Sequence, residues 1–129
     1  STAAMSSHKG DSELAAVATD HARKIAETTE YSHKSPDGIP AETRVERGAD
    51  CFSGENINKI RWDAIVMTKY SDEMSREIDS YMTLADHCVI QFARSEAHRN
   101  NMLQKQISAE GIGVAKTVDD TVYIVQDFC

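Results

Sequence analysis

Apolar positions in the first part of the chain recur at helical spacing. Leu14, Val17, Ala18, Ala22 and Ile25, with His21 among them, form one stripe that predicts a helix from an Asp11 cap to about Glu27. On that stripe His21 reads as a histidine at the core edge, not a ligand. Residues 1–10 are small, polar and aperiodic, which predicts a flexible lead-in. A turn-rich loop runs from Tyr31 through Ser35-Pro36-Asp37-Gly38, and Pro40 then suits the first turn of a short helix ending near Gly48. The stretch 49–58 is polar and glycine-bearing, and it predicts a loop or an irregular strand around Glu55.

Further along, Met74, Ile78, Tyr81, Met82, Ala85, Cys88, Val89 and Phe92 repeat every three or four residues, predicting a second long helix from Ser71 that breaks near Thr83. Ser95 caps another helix and puts His98 on its first turn. Gly111 and Gly113 mark the change to strand. Residues 112–118 and 121–128 read as a hairpin turning at Asp119-Asp120. In its second strand Val122, Ile124, Gln126 and Phe128 share one face, opposite Tyr123, Val125 and Asp127. Helices first and antiparallel strands last argue for an α+β fold.

Composition narrows the partners. A chain of 129 residues fits a single domain. Its formal charge of −7, from 21 acidic and 14 basic side chains, repels phosphate backbones and anionic membranes, so no nucleic-acid partner is expected. No apolar run approaches the roughly 20 residues that span a bilayer. The first ten residues lack the regions of a signal peptide, so the chain reads as a mature or trimmed product.

Three cysteines leave one out of any disulfide scheme. Cys88 lies on an apolar stripe and reads as a small buried hydrophobe, whereas Cys51 falls in a loop and Cys129 ends a strand. A Cys51–Cys129 bridge would tie the last strand to that loop; three free thiols in a reducing compartment is the alternative. No two cysteines have zinc-knuckle spacing.

His33 sits in the turn-rich loop and His98 on a first helical turn, both off the apolar stripes and so open to solvent or a cleft. Singly, each reads as a surface histidine, and Glu55 reads as a carboxylate capping local backbone. Together, two histidines and a carboxylate are the ligand set of a catalytic or exchangeable zinc site, with water completing the shell. No His-Glu-x-x-His, Gly-x-Ser-x-Gly, phosphate-cradling glycine loop or long heptad pattern occurs. The methionines at 67, 74, 82 and 102 read as core filling.

Ser95-Glu96-Ala97-His98-Arg99-Asn100-Asn101-Met102-Leu103, then Gly111-Ile112-Gly113-Val114, then Val122-Tyr123-Ile124-Val125-Gln126-Asp127-Phe128 resemble three ordered signatures of bacterial and archaeal CAP domains, also called SCP-like domains. These are Ser-x-Gly-His-Arg-x-Asn-x-Leu, Ile-Gly-Val and Tyr-x-x-Gln-x-Phe. Upstream, Tyr31-Ser32-His33 and Gly54-Glu55-Asn56-Ile57 are similar to the family's first histidine motif and its Gly-Glu-Asn box. The resemblance covers residues 11–129. It implies an α-β-α sandwich with a central antiparallel sheet and a cleft lined by His33, Glu55, His98 and a second acid. For that acid the bacterial pattern points to Asp86 and the animal-type pattern to Glu77. Ala97 stands where members usually have Gly, and Phe92 where Trp is usual. The helix that usually precedes the one at Asp11 has no counterpart, so it was trimmed or one face is covered differently.

The resemblance further implies a secreted or cell-surface domain that binds a ligand or a divalent metal such as zinc through His33 and His98, and for some members a lipid or sterol. Two other readings stand beside it. One is a metal-assisted hydrolase with Glu55 as base; the other is an adhesion or scaffold module with a vestigial site. Composition and spacing do not choose among a small molecule, a lipid and a cell-surface partner.

Overall fold

The computed structural model describes residues 11–62, 93, 95–99, 103 and 107–129. Helices α1 (Asp11–Thr28) and α2 (Ala41–Ala49) are followed by strand β1 (Gly54–Arg61), and β2 (Glu110–Lys116) and β3 (Thr121–Phe128) end the chain. The lead-in 1–10, the long helix predicted from Ser71 with Cys88, and both candidates for the second acid, Asp86 and Glu77, lie outside the described residues.

The α1 stripe forms as its spacing predicts, with Leu14, Ala18, His21, Ala22 and Ile25 all buried. Pro40, at φ −64°, precedes the first turn of α2, as its fixed ring geometry favours. The helix runs past Gly48, the expected stop, and Asp50 takes the left-handed conformation with its N–H bonded to the Glu46 carbonyl. Gly48 serves another purpose. It lies against α1, where a Cβ would stand 2.2 Å from Val17 Cγ2, so a larger residue would force that side chain to shift.

The three strands form an antiparallel sheet in the order β1-β3-β2. Central β3 is buried from Val122 to Phe128, which explains its unbroken run of strand-forming residues. Its alternation sorts the two faces. Tyr123 and Val125 pack with Ala18, Ala22 and Ile25 of α1. On the opposite face Gln126 donates a hydrogen bond to the carbonyl of Ala93, a buried helical residue just before the helical segment 95–99. Helix therefore meets both faces of the sheet, in the layering of an α+β sandwich.

Two sequence expectations need correction. Residues 54–61 form a regular strand, because the polar side chains that obscured it find partners: Asn56 Nδ2 donates to Gln126 Oε1 at 3.3 Å, and Glu55 is held as described below. Gly111 and Gly113 lie inside β2 instead of marking its boundary, and β2 ends at Lys116, short of Val118. The turn wins there through hydrogen bonds. Thr117 Oγ1 accepts from the Thr121 N–H at 3.1 Å, the Thr117 N–H reaches the Thr121 carbonyl at 2.8 Å, and Asp120 adopts φ 66°, leaving Val118 exposed.

Cys51 and Cys129 are joined by a disulfide, with Cα atoms 5.5 Å apart and 78 positions between them in sequence. It fastens the last residue of the chain to the segment entering β1. Closing so long a loop contributes about 2 to 5 kcal/mol, chiefly by restricting the unfolded chain.

Candidate histidine–carboxylate site

The loop between α1 and α2 is shaped by its own turn residues. The Gly38 N–H bonds the Ser35 carbonyl at 2.8 Å with Gly38 at φ 86°, and the Ile39 N–H reaches Ser35 Oγ at 3.0 Å. Three longer-range bonds then fix where it sits. His21 Nε2 donates to the Ser32 carbonyl at 2.8 Å, Tyr31 Oη donates to the Ile57 carbonyl at 3.0 Å, and Arg44 Nη2 donates to the His33 carbonyl at 2.8 Å. His33 is thus carried on a loop anchored to α1, α2 and β1.

The His33 side chain points at β1. Its Nδ1–H donates to Glu55 Oε1 at 2.9 Å, while 55% of the side chain stays exposed. The same Arg44 Nη2 lies 2.8 Å from both oxygens of Glu55, and the Glu55 side chain is only 1% exposed. Burial pushes the Glu55 carboxyl up, but hydrogen bonding with Asp127, His33 and Arg44, together with the Arg44 charge, outweighs it and holds the group below its usual value. Glu55 is therefore a fixed anion. It accepts from Nδ1–H and so orients a ring that stays 55% exposed, the arrangement carboxylate–histidine pairs use to present an imidazole to a metal or a polar ligand.

Of the residues predicted from sequence, the structure brings His33 and Glu55 together. His98 lies exposed on the helical segment 95–99, and among the described residues it makes no hydrogen bond to either of them. Among the described residues no group of three or more His, Cys, Asp or Glu side chains is gathered as a metal site. Toward a metal the donor set offers one carboxylate-supported imidazole, that of His33. Glu55, saturated by Arg44, is its support and not a second ligand.

One further participant, His21, was expected at the core edge, and two were not singled out from sequence. Arg44 reads there as one polar residue of a short helix. Asp127 ends an apolar stripe of β3, and an acid at an inward position is a signal that strand alternation alone makes available. His21 is fully buried and neutral. Burial, then the nearby Arg44 charge, lowers its pKa from 6.5. A histidine held neutral in the fold and free to protonate when unfolded contributes stability that is complete above pH 6.5 and is lost as pH falls below it toward the depressed folded value. Urea unfolding should accordingly show stability declining as pH falls below 6.5, and His21→Gln should flatten that decline.

An antiparallel sheet layered between helices, with a loop histidine locked by a buried glutamate at one strand end, defines a small α+β domain. The chain belongs to the CAP family, the cysteine-rich secretory protein family, whose model matches residues 1–128. Among solved structures it is similar to an outer surface protein from Borrelia burgdorferi, with a TM-score of 0.52 at 18% identity over 92% of this chain and 73% of that one. It also matches an extracellular protein containing a SCP domain from Bacillus anthracis str. Ames, with a TM-score of 0.46 at 23% identity, over 90% of this chain and 31% of that one. Among curated proteins none matches. No helix of the described residues is long and apolar enough to cross a membrane.

Proposed function

We propose that this is an extracytoplasmic CAP domain that binds a divalent metal, or a polar ligand in its place, at the exposed face of His33, with His98 as second imidazole. The observation that carries this reading is the His33–Glu55–Arg44 chain: a half-exposed imidazole whose tautomer is set by a buried carboxylate, itself held by a buried guanidinium. A bound zinc ion would draw on His33 Nε2, with Glu55 raising the basicity of the ring. The disulfide favours an oxidising compartment, and hence export.

The hydrolase reading is less well supported. A general base must reach the proton it abstracts, and Glu55 has both oxygens engaged and almost no exposed surface. Calorimetric titration with Zn²⁺ near neutral pH tests the binding reading. Wild type should bind, His33→Ala plus His98→Ala should abolish binding, and Glu55→Gln should weaken it about 10- to 100-fold. Undiminished affinity in the double variant would refute the site.

A further inference from the structure

Glu55 and Asp127 are register partners in the β1–β3 ladder, so their side chains leave the same face of the sheet side by side. Both are buried: the Glu55 side chain is 1% exposed and that of Asp127 is fully enclosed. Among the described residues, two charged groups face Asp127. From β1 comes Glu55, and from α2 comes Arg44, whose Nη1 stays 3.9 Å from Asp127 Oδ2, too far for a hydrogen bond. Its partner on β2 is Gly111, which carries no side chain. As a carboxylate, Asp127 has no donor at either oxygen among the described residues. One guanidinium thus faces two buried carboxyl groups, and it is spent on Glu55.

We propose that Asp127 is the positioning acid of the site: the O–H of its neutral carboxyl group donates a hydrogen bond to the Glu55 carboxylate across the β1–β3 pair, so that Glu55 stays ionised and aligned on His33. A proton on Asp127 converts an orphaned acceptor into the one donor this corner lacks, and it removes the repulsion of two adjacent buried anions. Burial first, then the Glu55 carboxylate, push the Asp127 carboxyl up to about 10, the direction the geometry requires. Asp127 is closed off from solvent, so it acts through Glu55. The protonation stands on the strand pairing alone; its consequence for the site rests on His33 as the ligand-facing imidazole.

Carbon-13 NMR of the wild-type domain tests the proton directly. The Asp127 carboxyl carbon should keep the shift of a protonated acid with no titration step from about pH 3 to pH 8; a step below pH 5 would overturn the proposal. Asp127→Asn, which copies the neutral acid and keeps a donor, should retain the hydrogen-bonded His33 Nδ1–H resonance, whereas Asp127→Ala should lose it. Loss in both variants, or retention in both, would show that Asp127 does not position His33 through Glu55. Failure of wild type to bind zinc would instead count against the binding function and leave these two readings intact.

Discussion

Gly113→Ala is expected to destabilise the domain by more than ~3 kcal/mol, past the usual range for an overpacked core. The Cβ it adds would stand 2.1 Å from the Thr19 backbone nitrogen and 2.3 Å from Ala18 carbonyl carbon and Thr19 Cα, so a helix backbone, not a pliable side chain, must move. Gly111 repeats the situation one turn earlier, 2.2 Å from the Ala15 nitrogen and 2.3 Å from the Leu14 carbonyl carbon. The two glycines are two residues apart on one face of β2, and together they let α1 lie directly on the strand. Against a total stability of about 5 to 15 kcal/mol, such a loss consumes a large part of the fold's margin. Urea unfolding measures it. Gly54→Ala is the control, since its Cβ would meet nothing closer than Phe128 Cδ2 at 3.9 Å and should leave stability nearly unchanged. Equal effects at Gly54 and Gly113 would show that strand glycines here matter for conformational entropy and not for close packing.

Arg44→Met should be the most damaging change at the site. It keeps a long apolar stem but leaves the Glu55 anion buried without its cation, a break that costs about 3 to 5 kcal/mol near neutral pH. The pH dependence identifies the cause. Without the guanidinium, the folded pKa of Glu55 rises relative to wild type, so the variant's deficit shrinks as pH falls and that carboxyl protonates. A deficit that stays constant from pH 7 to pH 4 would mean that Arg44 contributes by packing alone. Zinc binding should fall with it, because His33 loses both the Arg44 bond to its carbonyl and the ionised Glu55 that sets its tautomer.

How far each part was legible follows from the range of the forces involved. The α1 stripe, the loop around His33 and the strand alternation of residues 122–128 rest on local periodicity and turn chemistry, and each appears where those rules put it. β1 was obscured because Glu55, Asn56 and Asn58 look like loop residues until their cross-strand partners are known. Gly48, Gly111 and Gly113 look like stops. They are contact points, and a contact point is defined by a neighbour distant in sequence. Among site residues His33 and Glu55 stood out by type and motif and His21 as a core-edge histidine, while Arg44 and Asp127 did not, because each matters only through what it touches.

By itself, then, the sequence determined the helix and strand faces, the histidine loop, the α+β class and the family, all of which rest on short-range pattern and motif. Only the tertiary structure decided that β3 lies between β1 and β2, that Glu55 meets Asp127, and that the Arg44 charge is spent on Glu55. Strand register brings groups 72 positions apart side by side, and burial then sets the ionisation of each; neither register nor burial is a property of a residue taken alone.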